Sequence, residues 1–106
     1  MNADLIAQVR PLAELAAYQP RSVVSREIVK RDSGTVTVFA FDQGEGLSEH
    51  TASFDAIVYI LEGQAEVSIE GQAHQLSAGE MIIMPAGKPH ALTAIERFKM
   101  LLVLIK

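Results

Sequence analysis

From Pro20 onward, turn residues cut the chain so often that no long helix fits between them: Asp32-Ser33-Gly34, Gln43-Gly44-Glu45-Gly46, Glu62-Gly63, Glu70-Gly71, Ser77-Ala78-Gly79 and Pro85-Ala86-Gly87-Lys88-Pro89. The runs between these turns are short and rich in β-branched and aromatic residues. About eight strands are expected, over residues 22–29, 35–41, 57–61, 65–69, 74–76, 81–84, 90–94 and 98–105. Strands at such spacing, without helices between them, build an antiparallel sandwich or barrel, an all-β fold. A chain of 106 residues supplies one such core and not two.

Two of these runs do not alternate. Ile57-Val58-Tyr59-Ile60-Leu61 is apolar in both parities, and so is the run from Phe98 to Ile105, where Lys99 is the only polar member. One parity fills the barrel, and the other needs cover from elsewhere. A homodimer through this sheet is expected, with Tyr59 packed at the contact. By contrast Ala65, Val67 and Ile69 alternate with Glu66, Ser68 and Glu70, which describes a strand with one face in water.

Ahead of the strands, Leu5, Ile6, Val9, Leu12 and Leu15 follow a helical spacing that Pro11 interrupts. The spacing predicts a short helix over 4–9 and a further turn from Pro11, together a lid on one end of the core. Residues 1–19 are thus read as an N-terminal extension and 20–106 as the barrel domain.

Charge and composition narrow the partners. Nine basic residues against thirteen acidic ones leave a net charge of −4, and the basic residues form no stripe, which argues against nucleic acid. There is no cysteine for a disulfide or a thiolate metal site. The start Met-Asn-Ala-Asp lacks the basic segment of a secretory signal. The longest apolar run, residues 100–105, is far short of the roughly 20 residues of a membrane-spanning helix. A cytoplasmic protein without membrane contact is expected.

Two histidines stand in framed positions. Gly79 is followed by five residues, Pro85, one residue, Gly87, two residues and His90; Gly44 is followed by five residues and His50, thirteen positions before Gly63. Each histidine emerges at a place fixed by glycine turns, so the two can converge on one pocket. There they would serve as metal ligands or, since histidine titrates near neutral pH, as a general base. Met81, Met84 and Met100 are expected to be flexible core fillers, and Glu45 and Glu49 to belong to a solvated loop.

The spacings over residues 42–94 resemble the two signature motifs of the cupin superfamily. The resemblance implies an antiparallel jelly-roll (double-stranded β-helix) barrel of the RmlC-like kind, usually dimeric, holding a divalent metal on three histidines and a glutamate. Carried over by position, His50 and His90 are two of those ligands. The other two positions hold Ala52 and either Ala56 or Ile57, none of which offers a lone pair, and the asparagine that often closes the second motif is Ala94. Asp55 lies one residue from the glutamate position, an offset that turns a strand side chain to the opposite face. Glu49 has the same offset from His50, whereas Ser48 has the right parity. His74, the third histidine, belongs to a strand farther along the sheet. Whether His74 or Asp55 joins the site stays open at this point.

Three function classes follow. The first is a small-molecule-binding cupin with a weakly held divalent metal (zinc, iron, manganese or nickel) on His50 and His90, in which the two alanines leave room for an organic ligand. The second is a metal-dependent cupin enzyme of the dioxygenase or sugar isomerase and epimerase type. The third is an interaction protein that works through its dimer surface.

Overall fold

The computed structural model describes residues 3–106, so the first two residues of the 1–19 extension lie outside it. Nine strands are formed among the described residues: β1 (Val23–Arg31), β2 (Gly34–Phe41), β3 (Gly46–Thr51), β4 (Asp55–Glu62), β5 (Gln64–Ile69), β6 (Gln72–Ser77), β7 (Met81–Met84), β8 (Pro89–Ala94) and β9 (Phe98–Ile105). They make two antiparallel sheets, β1-β2-β9-β4-β7 and β3-β8-β5-β6, and the architecture is a jelly-roll barrel. The strand that turn spacing did not predict is β3. Its sequence, Gly-Leu-Ser-Glu-His-Thr, contains one large apolar residue, and it is a strand because it pairs with β8 at the edge of the smaller sheet.

The core lies between the sheets. Phe41, Val58, Ile60, Phe98 and Met100 enter it from the larger sheet, and Ala65, Val67, Leu76, Leu92 and Ala94 from the smaller. Removing each large apolar side chain from water is worth roughly 1.5–3 kcal/mol. The Phe41 and Phe98 rings stack with centroids 4.5 Å apart. Gly63 alone connects β4 to β5, with φ at +80°, and a Cβ there would run into the Arg97 carbonyl and Phe98. Only glycine meets both demands.

The N-terminal segment departs from expectation in two ways. It forms short 3-10 turns, Ala3–Leu5 and Leu12–Leu15, in place of a helix over 4–9. Ala7, with φ at 59°, breaks the first stretch before Pro11 is reached. Its described residues also pack on a sheet face and not on a barrel end: Leu12, Leu15 and Tyr18 lie on the outer face of the larger sheet, against Val38, Ala40 and Leu101. Lys99, the lone polar residue of β9, fastens it there. Its Nζ donates to the Ala13 carbonyl at 2.6 Å, lies 4.9 Å from the centre of the Tyr18 ring and is 3.8 Å from Glu62. Burial pushes the Tyr18 phenol pKa up, and its hydrogen bond with Glu62 adds to the effect.

Among the described residues, the part of that outer face around Tyr59, Met81 and Ile83 is open to water. Ile57 stands beside Ile83 and Val103, and Tyr59 beside Met81 and Leu101. Met81 and Ile83 keep about half their surface exposed, at 50% and 53%. Met81 is therefore no core filler, unlike Met84 and Met100, because it has the outward parity of β7. Among the described residues, no helix is long and apolar enough to cross a membrane.

Candidate functional site

Pairing between β3 and β8 places His50 directly opposite His90. The register makes this possible through a bulge: Leu47 faces Leu92 and His50 faces His90, three steps on β3 against two on β8. One extra residue reverses the strand's parity, so Leu47 and His50 line the same cavity despite their odd separation. Ser48 and Glu49 form the bulge. The Ser48 carbonyl accepts a hydrogen bond from Nδ1 of His50 at 2.8 Å, while the Glu49 side chain is exposed.

His90 is buried, and its Nδ1 lies 3.2 Å from the Lys88 carbonyl. The two rings meet edge to face, with Nε2 to Nε2 at 3.1 Å. Burial lowers the pKa of His90 below the ordinary histidine value, the neighbouring His50 lowers it further, and the Lys88 carbonyl opposes both. Behind the pair is a cavity of about 130 Å³. Buried Ala56, Met84, Leu92 and Met100 form its depth, and the partly exposed Leu47, Ala52, Leu102 and Leu104 flank its mouth.

The Pro85–Pro89 turn that delivers His90 is tied to the other motif. Gly87 N–H donates to the Ala52 carbonyl at 2.8 Å, and Ala86 N–H donates to Asp55 Oδ1 at 2.8 Å. Asp55, weighed above as a ligand, is thereby a clamp on the turn and stays outside the cavity. At the opposite end of the motifs, Gly44 N–H donates to the Ala94 carbonyl, and Ala94 N–H to the Glu45 carbonyl. His74 does not join the pair either. It lies on β6 opposite Val67, two strands from β8, and lines a separate open cleft with Ile69, Gln72 and Ile82.

Comparison with known proteins bears on the whole barrel. The sequence pattern of the Cupin domain family matches residues 37–105, well over half of the chain. The chain belongs to the cupin family. A conserved protein of unknown function from Streptococcus pyogenes has 40% identity and a TM-score of 0.91 over 94% of this chain and 88% of its own. A cupin superfamily protein from Desulfitobacterium hafniense has 30% identity and a TM-score of 0.89, over 93% and 91%. A predicted oxalate decarboxylase from Thermotoga maritima, at 18% identity and a TM-score of 0.74 over 78% and 79%, shares the fold alone. No curated protein matches the sequence.

Within this cupin, the donors that a metal would need are half present. Two histidine nitrogens, each about 2.0–2.1 Å from one ion, stand about 2.9–3.4 Å apart at octahedral or tetrahedral angles. The 3.1 Å between the Nε2 atoms falls in that range, and both rings are steadied through Nδ1 by main-chain carbonyls, as ligating histidines commonly are. A third donor is missing: among the described residues no three histidine, aspartate or glutamate side chains cluster. Ala52 and Ala56 both line the cavity, where they offer space and no lone pair. The set fits two positions of a coordination shell and does not fit a caged ion.

Proposed function

We propose that this cupin is a small-molecule-binding protein whose ligand occupies the apolar cavity behind His50 and His90. The observation that carries this reading is the contrast within one pocket, a paired imidazole head against an otherwise Leu, Ala and Met wall. Such pockets gain affinity from apolar burial and orientation from a few placed polar groups. Any divalent metal, whether zinc, iron, manganese or nickel, is held weakly, on His50 and His90 alone. The protein works in the cytoplasm as a homodimer joined through the bare apolar face around Tyr59, Met81 and Ile83.

The spacing of the Nε2 atoms favours a second reading, a metal-dependent cupin enzyme of the dioxygenase or sugar isomerase type. In it His50 and His90 would hold the ion, and the remaining ligands would be water and substrate. Elemental analysis of untagged protein purified without chelators, alongside His50→Ala, separates the two. No stoichiometric metal in either sample agrees with the first reading. Near one equivalent of metal, lost in the variant, contradicts it and favours the enzyme.

A further inference from the structure

Each of the two sheets ends in a pair of edge strands, and proteins commonly blunt such edges with bulges and charges. β1 is bulged between Glu27 and Val29 and carries Arg26, Lys30 and Arg31. β3 is bulged between Leu47 and His50, beside Glu49, and β6 is largely polar, with Gln72, His74, Gln75 and Ser77. β7 has none of these devices. It pairs with β4 without a bulge, and its whole sequence is Met81-Ile82-Ile83-Met84.

The outer main-chain groups of β7 are placed to pair. Ile60 N–H donates to the Glu80 carbonyl at 2.9 Å, and the Ile60 carbonyl accepts from Gly79 N–H at 2.8 Å, so Ile60 turns its main chain toward the β7 side. This direction alternates along a strand, so Val58 and Ala56 do the same, against Ile82 and Met84. Met81 and Ile83 therefore direct N–H and C=O away from β4, where no strand meets them among the described residues. An open cleft of about 460 Å³ past Ile82, Ile83 and Pro85 separates this edge from Gln72 and His74 on β6.

The edge complements itself. Antiparallel pairing about a two-fold axis at Ile82 sets Met81 of each copy opposite Ile83 of the partner subunit, and each such pair exchanges N–H and C=O in both directions. The side chains of these residues, half exposed in one copy, then cover each other on the outer face, and Tyr59, one strand away, flanks the seam. Charge favours a second copy as well: a chain of net charge −4 repels its own copies where like charges meet, and β7 brings none. We propose that β7 joins two copies of this chain edge to edge, so that the two larger sheets run into one across the two-fold axis. The proposal rests on the homodimer reading above and specifies its contact.

The test follows amide hydrogen exchange in the full protein by NMR, at concentrations above and below dimer dissociation, with sedimentation measured on the same samples. The Met81 and Ile83 amides are expected to exchange about tenfold more slowly in the dimer, whereas those of Ile82 and Met84, already bonded to β4, change little. Ile83→Pro removes an outward donor that the pairing with β4 does not use, and is expected to weaken the dimer about tenfold, while Ile83→Val, which keeps the N–H, stays near native. A dimer whose Met81 and Ile83 amides exchange as fast as in the monomer overturns the edge pairing and leaves a face-to-face dimer standing; so does an undiminished dimer in folded Ile83→Pro. A native protein that is monomeric at every concentration overturns both.

Discussion

At His90, burial and hydrogen bonding pull in opposite directions. Enclosure and the nearby His50 lower its pKa, and the Lys88 carbonyl only partly restores it. The folded value is below the unfolded one, so the unfolded chain takes up its proton first. The stability that neutral His90 contributes is complete above the unfolded value of 6.5 and declines as pH falls through the folded value. Urea midpoints are expected to drop between pH 7 and pH 5, and to drop less in His90→Gln; an equal drop in both proteins would assign the effect to other groups. His50→Ala and His90→Ala are expected to abolish ligand binding and leave circular dichroism native, because both side chains line the cavity and not the core cluster. Unfolding of both variants would refute the site. Turn spacing located the two histidines, but not their contact. That contact depends on the bulge between Leu47 and His50, and no residue type in Leu47-Ser48-Glu49-His50 announces an extra residue in the ladder.

Among the elements, the N-terminal segment shows how a helical spacing can serve another purpose. Leu12, Leu15 and Tyr18 are apolar at that spacing because one side of the segment lies on the sheet, and a single 3-10 turn, Leu12–Leu15, followed by extended chain suffices to put them there. Lys99 fixes the arrangement through Ala13, a charged hydrogen bond worth about 1.5–3 kcal/mol. Lys99→Met is therefore expected to lower unfolding free energy by about that much in urea titrations and to speed hydrogen exchange in the segment. Unchanged stability and exchange would mean that apolar contacts alone hold it. Gly63→Ala is expected to cost more than about 1 kcal/mol, since its left-handed backbone and the approach of Arg97 and Phe98 both exclude a side chain. Most strands were legible because β-branched runs end at turn residues that must bend the chain. β3 was not, because its polar sequence becomes a strand only through its partner β8.

On the scale of the whole molecule, the absence of alternation in β4 and β9 has two physical sources. The N-terminal segment covers one part of the outer face, over Val38, Ala40 and Leu101, and the part around Tyr59, Met81 and Ile83 stays open to water. Sequence alone could not separate them, since covered and open positions are equally apolar. If the open part joins two copies, Tyr59→Lys is expected to shift sedimentation from dimer toward monomer; an unchanged dimer would place the contact elsewhere. The barrel around the cavity would be unaffected, as Tyr59 points away from it. The most direct test of the central claim, that the cavity behind His50 and His90 is an organic ligand site, is crystallography of the full protein soaked with small organic fragments, with anomalous data collected on the same crystals. The account predicts fragment density inside the cavity, with a polar atom within hydrogen-bonding distance of the His50 and His90 Nε2 atoms and no anomalous peak between them. Fragments confined to the His74 cleft or the outer face, or a metal peak at the pair in place of an organic molecule, would contradict it.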